Sequence, residues 1–403
     1  MKQNYFIGLI ACAALTMTGC SNEEINAPQQ SQGNNAIEFS TYLGRNAQGS
    51  RGTETSTTSI QNSGFGVLAY YTENANFSAD TNKPNFMWNQ KVTYSNSAWS
   101  YTPVKYWPTK VGDKVSFFAY APYVENGNNN VIVLSGNSVA GAPTATITLP
   151  DDPSKTIDFV AAVQMNKTHD NSASANNNVS FTLKHEMTRV KVQAKLDKSV
   201  YSDTDAKHKT FVVIKNVKFN DKGQFYKSGT YTFSTDDSKR GTWATTDNAT
   251  AYSLDLNKVM KKETIKVTDA KGESGSGDYQ KGEDGIKLVN TDPVSLFKDD
   301  QYLFLIPVAN LIDGKATATI EYDIVTEDSR LAVGYSCTNA TKTVKLPAGT
   351  LQQGKSYNYT FIINLDEIVL DATVEQWDET ASGNDINVPY TPDDATATTN
   401  PGA

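Results

Sequence analysis

"VSFTLKHEMTRVKVQAKLD" occupies residues 179–197. Apolar and polar side chains take turns along it, with Val179, Phe181, Leu183, Val190, Val192, Ala194 and Leu196 on the apolar beats. Successive side chains of a strand point to opposite faces of a sheet, so this period of two marks half-buried β-structure. The pattern recurs outward in both directions. Upstream lie "AIEFSTYLG" (36–44), "FGVLAYYT" (65–72), "FMWNQKVTYS" (86–95), "AWSYTPVKYWP" (98–108), "DKVSFFAYAPY" (113–123), "NVIVLSG" (130–136), "TATITLP" (144–150) and "IDFVAAVQMN" (157–166). Downstream lie "KTFVVIKNVKFN" (209–220), "GTYTFS" (229–234), "GTWATT" (241–246), "QYLFLIPVA" (301–309), "ATATIEYDIVT" (316–326), "TKTVKLPAG" (341–349) and "SYNYTFIINLDEIVLDATVEQWDE" (356–379). Turn residues separate these runs, and short strands at such spacing predict β-sandwiches. "KTHDNSASANNN" (167–178) lacks an apolar anchor and is expected to mark a boundary between two sandwiches in tandem. That places domains at 36–170 and 171–383, with a tail or added strand over 384–403.

Composition agrees with an all-β fold. The 403 residues are 38% hydrophobic and 10% aromatic, with 20 Tyr, and Thr, Val, Asn and Ser are abundant. These types favour strands and polar turns. The best helical candidate is short, "LDLNKVMKK" (254–262). "RNAQGSRGTETSTTSIQNSG" (45–64) reads as an exposed loop, and "DAKGESGSGDYQKGEDG" (269–285) as a long, mobile insertion. A net charge of −8 and the lack of a basic stripe argue against a general grip on nucleic acid.

Of three cysteines, Cys12 lies inside the first apolar run and Cys20 at its end, so Cys337 alone remains in the body and no disulfide framework is expected. Lys2 precedes an apolar run, "YFIGLIACAALTM" (5–17), of signal-peptide length, followed by the small residues Thr18 and Gly19. "LTMTGCSNEE" (15–24) resembles a bacterial lipobox, with Met17 where Leu is commoner. The resemblance implies thioether lipidation of Cys20 after removal of residues 1–19, and the acids behind it resemble a surface-export signal. Residues 20–35 then serve as a tether. Several acyl chains together give stable anchoring.

Signals for catalysis are poor. GxSxG, HExxH, P-loop and GxGxxG motifs are missing, and His169, His185 and His208 show no zinc spacing. No catalytic residue, metal or cofactor is expected. His185 reads either as a general base or as a strand residue covering a sandwich edge, and Cys337 as a half-buried strand thiol. The acid pairs Asp151–Asp152 and Asp366–Glu367 read as turn residues. Trp88, Tyr94, Trp99, Tyr101, Tyr106, Trp107 and Tyr120 crowd one region. They fill a β-core and its rims, or else present a platform on which sugars stack, with Trp99 and Trp107 the candidates.

Taken in order, "FGVLAYYT", "FMWNQKVTY", "WSYTPVKYWP", "GDKVSFFAYAPY", "IDFVAAVQMN", "FTLKHEMTRVKVQAKL", "LPAGTLQQGKSYNYTFIINLDEI" and "ATVEQWDE" resemble the fimbrillin family of pilus proteins of the Bacteroidetes, over about residues 36–380. The resemblance implies two transthyretin-like β-sandwich domains behind a lipoprotein signal peptide. It implies a surface-exposed outer-membrane precursor that matures when an Arg-specific protease removes the first strand. A strand from a neighbouring subunit, self, anchor or tip, then fills the open groove, building a fimbria that supports adhesion to host or bacterial surfaces. "AIEFSTYLG" matches the removable strand, and Arg45 or Arg51 the cut; "NDINVPY" (384–390) alternates weakly as a donor. The alternative is a standalone glycan-binding surface lipoprotein.

Overall fold

The computed structural model describes residues 35–43, 54–172, 174–198, 210–220, 225–245, 254–267, 277–278, 285–298, 301–311, 315–328, 330–364, 368–377 and 386–388. Among these residues strands predominate, and the fold is all-β. A seven-stranded sheet runs in the order Glu38–Leu43, Asn178–His185, Val160–Thr168, Lys114–Ala121, Phe65–Tyr71, Met87–Ser95, Ala98–Ser100. A four-stranded sheet is built from Thr242–Thr245, Ser228–Thr232, Thr144–Thr148 and Ile132–Leu134. Rings from the two interlock, with Phe118 edge-on to Phe233 at 5.9 Å and Phe159 to Tyr231 at 5.4 Å.

A third sheet carries Val294–Ser295, Thr188–Leu196, Lys355–Ile363, Ile368–Gln376 and Ile386–Val388, and a fourth carries Leu254–Asp255, Thr210–Asn220, Thr317–Glu327 and Tyr335–Lys345. Phe219 and Tyr359 meet between them at 6.1 Å. One contiguous set of buried apolar side chains links all four sheets, from Leu68 and Ile147 through Val192 to Ile320 and Trp377.

The middle strands of the seven-stranded sheet, Phe65–Tyr71 and Lys114–Ala121, are buried on both faces. The sheet's second face, including Val67, Val115 and Phe117, is covered by Ile60 and Trp107. That is why "FGVLAYY" and "KVSFFAYA" read as continuous apolar runs rather than alternating ones. Packing there is tight. A Cβ on Gly66 would collide with the Tyr120 ring, whose hydroxyl donates to Asn89 Oδ1 at 2.5 Å.

Local expectations change at three places. The polar run 167–178 joins Val160–Thr168 to Asn178–His185, which pair antiparallel in one sheet. A boundary was expected there because polar, low-complexity residues suit a linker, but they suit a hydrogen-bonded hairpin loop equally. The chain instead passes from the first sheet to the third at Glu186 and Met187, both buried, between His185 and Thr188. "VSFTLKHEMTRVKVQAKLD" is therefore shared between two sheets.

The stretch expected as an exposed loop over 45–64 ends in a helix, Thr57–Ser63. Ser56 caps it, accepting from Ser59 N at 3.1 Å while Ser59 Oγ accepts from Ser56 N at 2.7 Å. Gly64, at φ 78°, closes its C-terminus. A single apolar side chain, Ile60, suffices to dock it. Finally, 254–262 yields one 3₁₀ turn, Leu256–Lys258, capped by Asp255, and Gly277–Asp278 within 269–285 pairs with Lys266–Val267.

Candidate assembly site

The first strand, Glu38–Leu43, lies at the edge of the seven-stranded sheet and runs parallel to Asn178–His185, from Glu38 opposite Asn178 to Leu43 opposite Leu183. Every other pairing in that sheet is antiparallel among the described residues. Antiparallel neighbours can be joined by a short turn, whereas a parallel neighbour needs a long connection. The strand's partner is accordingly remote in sequence.

Alternation sets its contacts. Ile37, Phe39 and Leu43 are buried, while Glu38 and Tyr42 face solvent. Phe39 sits among Tyr101 (5.1 Å), Phe117 (5.9 Å) and Phe181 (5.9 Å). Thr41 breaks the apolar series, and its Oγ1 is buried with no hydrogen-bond partner among the described residues. The strand's N-terminal end is held by main-chain bonds: Ile37 N donates to Lys105 O (2.9 Å), Glu38 N to Asn177 O (3.0 Å) and Trp107 N to Asn35 O (3.0 Å). The 167–178 loop supports this end. His169 stacks on Trp107 at 5.3 Å and lies between Asn171 Oδ1 (2.8 Å) and Asn177 Oδ1 (2.9 Å).

A second constellation lies just beyond the 44–53 segment. Glu54 is 5% exposed, and its Oε1 accepts from Arg189 Nη1 and from Trp377 Nε1, each at 2.7 Å. Arg189 Nε donates to Ser356 Oγ at 3.0 Å, and its guanidinium lies over the rings of Tyr302 (4.4 Å) and Trp377 (4.9 Å). Thr55 N donates to Asp158 Oδ2 at 2.8 Å and Thr55 Oγ1 to Asp158 O at 2.6 Å. Asp158 Oδ2 also meets His185 Nδ1 at 2.8 Å, and His185 stacks on Trp377 at 3.8 Å. Burial raises the Asp158 carboxyl despite the counter-pull of His185.

Next to it, Glu186 is enclosed with Arg240 Nη1 (3.4 Å) and Gln353, and its carbonyl accepts from Trp243 Nε1 at 2.7 Å. Burial pushes Glu186 up to about 7 from 4.5.

Several residues singled out in the sequence find their places. His185 is buried and paired with Asp158, and Cys337 is a half-buried thiol in Tyr335–Lys345. Trp107 is 4% exposed, with Phe117 at 5.7 Å and His169 on its rings, and its Nε1 donates to Asn177 O at 3.2 Å. Of the two readings given for Trp107, its burial fits the filling of a β-core. Trp99 is half-buried and wedged between Phe65 and Tyr94, each at 5.0 Å. Sequence reading missed these contexts because an aromatic-rich run looks the same in a core and on a platform. Cys20, Arg45 and Arg51 lie outside the described residues, as does the tail beyond 388. Ile386–Val388 pairs antiparallel with Ala372–Val374 at the third sheet's edge. Among the described residues no cluster of His, Cys, Asp or Glu is placed to hold a metal, and no helix is long and apolar enough to cross a membrane.

Glu54, Thr55, Asp158 and Trp377 were not anticipated. The Ser56–Ser59 capping spacing was the available hint that 54–63 is ordered.

Comparison with known proteins places this architecture. The fimbrillin-like family model matches residues 51–377. The fimbrium subunit Fim1C of Phocaeicola vulgatus is 31% identical over 400 residues, covering 94% of this chain and 98% of its own. The crystal structure of a fimbrial protein from Bacteroides vulgatus superposes with a TM-score of 0.69 at 26% identity, covering 85% of this chain and all of that one. A match over most of the length, to sequence and structure alike, makes this chain a member of the fimbrillin-like family.

Proposed function

We propose that this fimbrial structural subunit, which acts in adhesion at the cell surface with other fimbrial components, reaches its assembled form by exchanging its first strand. In this reading the chain is exported as a lipoprotein, carries lipid on Cys20 and sits on the outer membrane. A protease then cuts at Arg45 or Arg51. Strand Glu38–Leu43 leaves, and a strand from a neighbouring subunit replaces it along Asn178–His185.

The observation that supports this most directly is the position of the first strand. It occupies a sheet edge in parallel register, fills the core with Ile37, Phe39 and Leu43, and continues into the segment that carries both arginines. The family match begins at residue 51, beyond the strand. An open edge presents unpaired N–H and C=O groups together with apolar pockets, and an incoming strand satisfies both. Residues 384–403 are the candidate donor. Their use would require Ile386–Val388 to leave its present pairing with Ala372–Val374.

The test is a chain with Arg45→Ala and Arg51→Ala together, expressed in a cell that displays the native fimbria. It should remain monomeric, acylated and bound to membrane, as read by intact mass and by electron microscopy of the surface. Assembly of fimbriae by this double variant would refute the mechanism.

A further inference from the structure

We infer that Glu54 and Thr55 form a latch that holds the body's own N-terminal end in place once the first strand is gone. The inference rests on the maturation reading above, and it concerns the residues on the body side of the cut. Both residues stand at the start of the described chain after segment 44–53, in a run whose polar composition gives no reason for burial. Yet both are buried, and their four hydrogen bonds reach three different parts of the fold: Asp158, next to the Val160–Thr168 strand; Arg189 in the Thr188–Leu196 strand; and Trp377, where the Ile368–Gln376 strand ends. His185 closes the group by bridging Asp158 and Trp377.

Two consequences follow from this placement. In the intact chain the helix Thr57–Ser63 is tethered at both sides, through the first strand before it and through Phe65–Tyr71 after it. After cleavage the upstream tether is lost, and among the described residues Glu54, Thr55 and Ile60, with the continuing link into Phe65–Tyr71, keep the helix on the sheet face that it shares with Phe39. A helix of seven residues has no independent stability in water. Without the latch it would fray and uncover the surface on which the incoming strand must dock. The latch also joins residue 54 to residue 377, so the body stays closed while segments on both outer sides, up to 43 and from 386, take part in exchange.

The experiment is hydrogen exchange of peptides covering 54–63 in the full-length chain, before and after limited trypsin cleavage. Three proteins are compared: wild type, Glu54→Ala, and Trp377→Phe, which removes the indole N–H that reaches Glu54 together with part of the ring system and keeps an aromatic ring beside His185. In wild type, protection of 54–63 should be the same before and after the cut. In both variants it should fall tenfold or more after the cut and much less before it. Equal protection of 54–63 in the cleaved variants and cleaved wild type would overturn the latch, as would equal losses before and after cleavage. Should Glu54→Ala fail to fold, Trp377→Phe decides alone. The result is separable from fimbria formation, since a latched body that never polymerises would refute the exchange mechanism and leave the latch standing.

Discussion

Phe39→Ala isolates the contribution of the first strand. Its ring is 5% exposed and touches Tyr101, Phe117 and Phe181. Deleting a buried Phe side chain costs about 3–5 kcal/mol when the surroundings cannot collapse. Phe117 and Phe181 sit on different strands of the sheet and Tyr101 just beyond a third, so collapse is hindered. Each 1.4 kcal/mol is a factor of ten, so the docked-to-released ratio of the strand should fall by roughly two to three and a half powers of ten. The loss should be local. Amides within 178–185 exchange when the edge opens, whereas those in Thr210–Asn220, in the fourth sheet, exchange on wider unfolding. Hydrogen exchange by mass spectrometry on the two peptides reads the difference. The expected result is a hundredfold or greater acceleration in 178–185 with little change in 210–220. Tyr42→Ala, at a side chain 51% exposed on the same strand, is the control and should stay within about 0.5 kcal/mol of wild type. Equal acceleration in both peptides, or none in 178–185, would refute the picture of a separately removable strand.

Two further outcomes follow from buried polar groups. Thr41→Val removes a buried hydroxyl that has no partner among the described residues and keeps the shape, so it should tighten the strand by about 1 kcal/mol and slow exchange in 178–185 about fivefold. Glu186 binds its proton more tightly when folded, at about 7 against 4.5, so its ionisation opposes folding: its own contribution to stability is fully present below pH 4.5 and is lost as pH rises through about 7. The loss is up to roughly 3 kcal/mol, and denaturant midpoints at pH 5 and 7.5 should show a slope that Glu186→Gln flattens.

Much of the fold is legible in the sequence because strand alternation is a local property. Each run that reads apolar on every second residue is a strand here, and the ordered series of motifs points to the family. What alternation encodes is the face a residue takes, not the strand it lies beside. That limit explains the misplaced boundary. Phe181 and Val190 alternate in the same way, yet they belong to different sheets, and the intervening Glu186 is held inside by Arg240, Gln353 and Trp243, which are remote in sequence. It also explains why the latch is invisible. A Glu in a run of Thr and Ser signals exposure until Arg189 and Trp377, brought from two other strands, are seen to enclose it.

The parallel register of the first strand suits the proposed exchange. A hairpin partner is tied to its neighbour by a short turn, so cutting it free leaves the turn and its bonds behind. Among strands the parallel one pairs with Asn178–His185 alone, and on leaving it would give up that ladder, the main-chain bonds of Asn35 and Ile37 to Trp107 and Lys105, the Tyr101 and Asn178 side-chain bonds to Ile37 O and Ser40 Oγ, and the burial of three apolar side chains. Its loss would leave the remaining six strands of the sheet paired as they are. What it would uncover is costly in water, because the Asn178–His185 ladder loses its partners and the pocket around Phe181 and Phe117 is wetted. In the proposed exchange, release and replacement would therefore be coupled: a segment with apolar side chains at every second position, running parallel to 178–185, would restore what the first strand gave. Thr41 makes the resident strand imperfect at one of those positions, and a competitor with a methyl group there has the advantage.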